Sequence, residues 1–191
     1  METINLKMEI PDRVIQQNPR IFPAENTNLG RLLSDSTHRS LFHARLKKYN
    51  PFVVALYKGG LLPLLGIGRS VMLLTTRGRK TGKMRVTPIG YFYIGGVIHI
   101  FSAWGKQAQW YKNLIANPNQ VTIQIGFRQK AVQPRFLEDR SEILRTLELF
   151  ISESPEQAAY LLGWDPEHDR IEAADFTNIL NDVLIVRLFE R

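Results

Sequence analysis

The sequence predicts an α+β fold built round a small, mainly antiparallel barrel, and three observations carry that reading. β-rich runs follow one another at hairpin distance through the middle of the chain, at residues 71–76, 84–93 and 97–102, with two more near 120–126 and 130–137. Helical periodicity stands before and after them. A last apolar run at 183–189 returns to close the sheet. A chain of 191 residues, 44% of them hydrophobic, is long enough to bury a sizeable core in one domain.

Taken in order, residues 1–36 carry mixed charge and three prolines, Pro11, Pro19 and Pro23, and are expected to form an irregular arm or short helices outside the core. The division is an N-terminal extension over 1–40 and a barrel domain over 41–191. From Thr37, Leu41, Phe42 and Leu46 recur at helical spacing. Asn50-Pro51 then resembles an N-cap with proline at the first helical position, opening a second helix that stops at Gly59-Gly60. Residues 51–67 are the most apolar stretch, but Lys58, Gly59, Gly60 and Pro63 interrupt it. It falls short of the ~18 uninterrupted apolar residues of a spanning helix, and either covers one end of the barrel or lies on a membrane.

The first two strands are joined by a segment holding Gly78 and Gly82, which reads as a hairpin tip, and Gly95-Gly96 makes the next turn. A helix at 107–116 places Trp110, Tyr111 and Leu114 on one face and ends at Asn117-Pro118. Val121, Ile123 and Ile125 alternate with polar residues, as a half-buried strand requires. Helices at 141–151 and 155–162 precede the closing strand.

Charge is distributed unevenly. Between Ser36 and Leu137 there is no Asp or Glu but there are 16 Lys and Arg; all 18 acids lie outside that window. Arg77, Arg79, Lys80 and Lys83 crowd the first hairpin tip, with Arg85 just beyond. So dense a cluster repels itself unless something neutralises it, and no carboxylate is near in sequence. Together with a net charge of +7, this points to an anionic partner.

Several chemistries lack their parts. No cysteine is present, so disulfides, thiolate metal sites and thiol nucleophiles are excluded, and a reducing cytoplasm is the expected compartment. The N-terminus has acids and no apolar core, unlike a signal peptide. The string from Gly78 to Lys83 is not a phosphate loop: three residues separate its glycines, Met84 follows the lysine, and a strand comes next. His38, His43, His99 and His168 form no metal-binding spacing, and no G-x-S-x-G elbow occurs. His99, within an apolar strand, is a structural residue on this reading. Trp104, Trp110 and Tyr111 are core aromatics in the plainest reading. Free backbone N–H groups after Ser102 beside a flat ring also suit a planar heterocycle.

Thr75-Thr76-Arg77-Gly78-Arg79-Lys80-Thr81-Gly82, with Arg85 and Pro88 at the right spacing, resembles the T-T-x-G-R-K-[ST]-G-x-x-R-x-x-P signature of the deazaflavin-dependent nitroreductase family. Trp110-Tyr111-Lys112-Asn113-Leu114 and Ala116-Asn117-Pro118 match that family's W-Y-x-N-L-x-A-N-P helix, and the C-terminal run its closing strand. The resemblance spans about residues 45–190. It implies a split β-barrel of the FMN-binding-like type and a hydride-transferring oxidoreductase using coenzyme F420. Arg79, Lys80 and Arg85 would meet the phosphate and acidic tail. Val86, Thr87 and Pro88 would line the cofactor, and the backbone of Phe101, Ser102, Ala103 and Trp104 would meet the ring. Lys106, Trp110 and Tyr111 would complete the groove, and the proton donor would be Tyr160 or solvent. The acceptor would be a small apolar molecule: a quinone, an unsaturated lipid-like compound or a nitroaromatic.

Where the family has S-N-G-G or S-K-G-G, this chain has Ser102-Ala103-Trp104-Gly105-Lys106. That departure keeps open FMN, haem or a tetrapyrrole in the same groove. A non-enzymatic basic module on anionic membrane or nucleic acid is the other alternative; nucleic acid is disfavoured, since it would need many interchangeable cations. A peripheral membrane contact and a homodimer are both compatible with the sequence.

Overall fold

A computed structural model of the chain describes residues 19–65, 70–102 and 105–191. The main sheet contains β2 (Val71–Arg77), β3 (Met84–Gly90), β4 (Phe92–Ile94), β5 (Val97–Ser102), β6 (Val121–Ile125), β7 (Arg128–Leu137) and β9 (Leu184–Glu190). Their order is β3-β2-β6-β7-β9-β5-β4, with every neighbouring pair antiparallel. The two edges, β3 and β4, are separated in sequence by Tyr91 alone. The sheet therefore curls until one kinked strand joins both of its edges, and β3 comes close to β5. This is the split-barrel architecture expected.

Turn chemistry fixes the register. Gly95 and Gly96 both have positive φ (56° and 72°), the paired left-handed backbone that a two-residue hairpin between twisted strands demands. Strand alternation then sorts the side chains. Met72, Leu74, Ile98, Ile100, Val121, Ile123, Val132, Val186 and Leu188 fill the barrel, and α4 (Gln109–Ala116) closes one end with Tyr111 and Leu114. The opposite face of β4, β5, β7 and β9 is covered by helices. There α5 (Arg140–Glu153), α6 (Pro155–Leu162) and α7 (Thr177–Asp182) build a second core round Phe150, Leu147, Leu162 and Ile179.

Two expectations are corrected. The first concerns residues 19–36, which belong to the second core and not to a detached arm. Phe22 is fully buried, with its ring 5.1 Å from Trp164 and 5.6 Å from Phe176. β1 (Arg20–Ile21) pairs in parallel with β8 (Ala174–Asp175), Arg20 binds both oxygens of Asp169 at 2.8 Å, and Leu29 and Leu32 of α1 (Asn28–Ser34) are buried. Phe22 stands in a short segment with neither helical nor strand periodicity, so partners about 150 positions away cannot be read from its neighbours. The second concerns Pro51, which opens no helix: α2 runs unbroken from Ser36 to Lys58, capped by Asp35, whose carboxylate accepts from the Thr37 and His38 N–H groups. Proline's fixed φ is already helical. One missing donor on an exposed helix does not force a break when flanking residues sustain the ladder.

On the outer face, His99 is the structural residue expected. Its Nδ1 lies 2.9 Å from the Val97 carbonyl, and its Nε2 accepts from Arg187 Nε at 3.0 Å. Arg187 also binds Glu142 at 2.5 Å and Thr146 at 2.8 Å, while Glu142 pairs with Arg135 at 3.2 Å. Both ring nitrogens are satisfied only in the neutral form. Burial pushes the His99 pKa below its ordinary value, Arg187 adding to the effect and the Val97 carbonyl and Glu153 opposing it. The unfolded chain therefore takes up this proton first. The stabilisation is complete above the ordinary histidine pKa, is lost as pH falls through it, and levels off below the folded value. We expect the urea midpoint to fall between about pH 8 and about pH 5.5, and a His99→Asn variant to show a flatter profile. Parallel profiles would exclude His99 as the titrating group.

Candidate cofactor site

Arg77↔Met84 is the last pair of the β2–β3 ladder, and residues 78–83 form a tight tip beyond it. Gly78 N–H donates to the Lys83 carbonyl at 2.9 Å, and Gly82 N–H to the Gly78 carbonyl at 2.8 Å. Gly82 holds φ at +66°, a backbone that favours glycine, and a Cβ on Gly78 would stand a tight 3.1 Å from the Lys83 oxygen. The consequence is that Arg77, Arg79, Lys80, Lys83 and Arg85 are all exposed together.

Their partners divide them into two groups. Arg79 donates from its backbone N–H and from Nη1 to Asn113 Oδ1, each at 3.2 Å, and from Nη2 to Gln109 Oε1 at 3.1 Å. It straps the tip over α4. Arg77 donates to Gln120 Oε1 at 3.0 Å. All of these acceptors are neutral. The side chains of Lys80, Lys83 and Arg85 have no hydrogen bond or ion pair among the described residues. Acids from the last third of the chain reach other cations of the acid-free window, as in Lys130–Glu190 and Arg135–Glu142, but not these.

Across the barrel end, β5 terminates at Ser102. Ile98 and Ile100 point into the barrel, so Ser102 does too. Its hydroxyl is buried and is without a hydrogen-bond partner among the described residues. A buried orphan of this kind costs roughly 1–3 kcal/mol, which a ligand accepting or donating there would relieve. The cross-strand pairs Thr76↔Arg85 and Leu74↔Thr87 put Arg85 and Thr87 on the barrel face of β3, leaving Val86 and Pro88 on the other. Gly105, after β5, has φ +50° where the chain passes 3.2 Å from the Asp182 carbonyl, measured from an added Cβ.

The remaining candidates separate. Lys106 is exposed beside α4, Trp110 is half-buried at its start, and Tyr111 is buried edge-on to Phe136 at 5.3 Å. Ala103 and Trp104 lie outside the described residues. Phe101 turns its ring into the second core, 5.1 Å from Phe92 and 5.4 Å from Phe150, so only its backbone is available on the barrel side. Tyr160 is on α6, in the outer helical layer, with its hydroxyl accepting from Asn28 at 3.1 Å; α6 packs mainly on α1 and α5. Burial raises the pKa of Tyr111 and pushes that of Tyr91 up to about 12, so neither hydroxyl ionises near neutrality. Asn113 was not singled out by the sequence reading. It is 7% exposed and also donates to Thr76 Oγ1 at 3.5 Å; the one available signal was its place in the W-Y-x-N run.

This donor set, with unpaired cations on one wall and an orphaned hydroxyl at the end of the other, fits a ligand with an anionic tail and a polar-edged head. That is the chemistry of coenzyme F420. Among solved structures, the chain is similar to an F420-H2 dependent reductase at 24% identity, over 62% of this chain and 94% of that one, with a TM-score of 0.39. It is also similar to a putative pyridoxamine 5′-phosphate oxidase from Listeria innocua (15% identity, 67% of this chain and 90% of that one, TM-score 0.41). A third similar structure is an FAD-binding protein from Mesorhizobium loti (19% identity, 64% and 81%, TM-score 0.41). The family described as F420H(2)-dependent quinone reductase matches residues 53–165, more than half of the 191, and takes in both the hairpin and α4. The chain belongs to that family and is an F420H2-dependent oxidoreductase.

Proposed function

We propose that Lys80 and Arg85 hold the phosphate and acidic tail of F420, that Ser102 and the backbone running up to it meet the deazaflavin, and that the acceptor is a small apolar molecule of the quinone class. The observation that carries this is the exposed hairpin, where Lys80, Lys83 and Arg85 have no ion pair among the described residues. Hydrogen bonds to charged groups are the strong ones, and an anion at this place would gain several without displacing an existing partner. Arg79, already committed to Asn113 and Gln109, positions the tip and leaves Lys80 and Arg85 to the ligand.

Bound reduced F420 supplies a hydride. The protein supplies orientation and dry walls: Thr87 on β3, Ser102 on β5 and Trp110 at the start of α4. A quinone taking a hydride also needs a proton to become the quinol. Thr87, Ser102 and Trp110 carry no group that releases a proton near neutral pH, and Tyr160 sits in the other layer, so on this reading the proton comes from solvent at the open side of the hairpin. A lipid-soluble acceptor of this kind partitions into bilayers, which places the enzyme at a membrane periphery.

Titration of the purified protein with F420, FMN and haem tests the reading through tryptophan fluorescence, because Trp110 borders the site. F420 is expected to quench at micromolar concentration. Quenching by FMN or haem but not by F420 would overturn the cofactor assignment and return the groove to a flavin or tetrapyrrole.

A further inference from the structure

A second exposed surface lies at the far end of β2 from the hairpin, about 20 Å away at ~3.3 Å per residue. The last turns of α2 dock there through Tyr57. Its ring is fully buried; its hydroxyl donates to the Val71 carbonyl at 3.0 Å and accepts the Gly126 N–H at 2.9 Å. Tyr57 thus covers the barrel end, with Val53, Val54 and Leu56 half-buried beside it, while other apolar residues of this stretch face outward. Phe52 is 63% exposed, Leu61 49%, Leu64 76%, Leu65 68% and Phe127 69%.

These residues are continuous. Helical spacing puts Tyr49, Phe52 and Leu56 on one face of α2. After Gly59-Gly60, α3 (Leu61–Leu64) follows at once, with the Leu64 N–H donating to the Gly60 carbonyl at 3.0 Å. Phe127, in the β6–β7 turn, lies against Gly60: a Cβ there would be 3.1 Å from its ring. A scattered exposed leucine needs no explanation, but a connected apolar surface does. Lys48, Lys58 and Arg128 border the patch, exposed and without an acid partner among the described residues. A hollow of about 180 Å³ lined by Ile98, Ile123 and Ile125 opens beside Arg128 at the same end.

We infer that this surface, Phe52 with α3 and Phe127 inside a border of Lys48, Lys58 and Arg128, seats the protein on an anionic lipid bilayer. No helix among the described residues is long and apolar enough to cross a membrane, so the contact is peripheral. Apolar side chains enter the boundary between headgroups and chains while the cations meet anionic headgroups. A second copy of the chain is the poorer occupant, because a two-fold contact would set these cations against themselves. Docking by this end leaves the hairpin turned to water, where a soluble polyanionic cofactor arrives. The docking surface does not rest on the proposed function.

Co-sedimentation of the full chain with vesicles of phosphatidylglycerol and phosphatidylcholine in equal parts, and of phosphatidylcholine alone, tests it. Binding is expected on the anionic vesicles and to weaken with salt. A Leu64→Gln/Leu65→Gln double variant should lose about tenfold or more in partitioning. Lys58→Gln should lose about fivefold on anionic vesicles only. Leu149→Gln, equally apolar but on α5, should match wild type. F420 titration of the same variants should be unchanged. Absence of binding to either vesicle at low salt would overturn the inference. So would an equal loss from Leu149→Gln, or a dimer in solution that the double variant converts to monomer, which would make the patch an interface between copies. If vesicles bind while F420 does not, the docking surface stands and the reductase site falls.

Discussion

Replacing Lys80 or Arg85 by alanine is expected to weaken F420 binding by roughly ten- to a hundredfold, since a hydrogen bond to a charged group is worth ~1.5–3 kcal/mol. Stability should hardly change, because each side chain is exposed, holds nothing in place and sits among like charges. Lys130→Ala is the control: the same charge, but on β7 and paired with Glu190. Lys112 is distant in sequence but stands on α4, beneath the folded tip, bound to Gln107 Oε1 at 2.9 Å, so its removal should have an intermediate effect. Arg79→Ala should act by freeing the tip from Asn113 and Gln109, lowering affinity with little change in salt dependence. Isothermal titration at two salt concentrations separates these outcomes. Similar, modest losses at Lys80, Arg85, Lys112 and Lys130 that vanish in high salt would mean diffuse attraction, and the specific site would have to be given up.

The largest expected loss of stability follows Phe150→Ala. This ring is fully buried on α5, 4.9 Å from Phe92 and 5.4 Å from Phe101, and it ties the helical layer to β4 and β5. Removing a buried phenylalanine costs about 3–5 kcal/mol, from lost transfer energy and the cavity left behind. For a chain of this size that lowers the melting temperature by roughly 6–20 °C. Leu149→Gln, on the exposed side of the same helix, should stay within about 0.5 kcal/mol of wild type. If Phe150→Ala were equally mild, the outer layer would not be part of the cooperative unit. Phe101 immediately precedes Ser102, so the variant also reports on the site: weakened F420 binding at a temperature where it is still folded would show that the second core holds the end of β5 in position.

What this sequence determined by itself was whatever is encoded over a few neighbouring residues. Alternation placed the strands, and Gly82, Gly95 and Gly96 specified turns whose backbone other residues adopt only under strain. The long acid-free run pointed to an anionic partner. Charge counting could not rank the cations, because rank depends on partners distant in sequence. Arg79 is spent on Asn113, 34 positions away, while Lys80 beside it is free. The same holds for Phe22, whose aromatic partners come from the far end of the chain, and for Tyr160, which the topology carries into the other layer. Residues 51–65 have one apolar composition, yet the docking of Tyr57 on β2 and the β6–β7 turn separates a buried ring from an outward-facing patch. Periodicity reports which side chains share a face. Which face is covered depends on elements brought together by the closing of the barrel, and only the tertiary structure decides that.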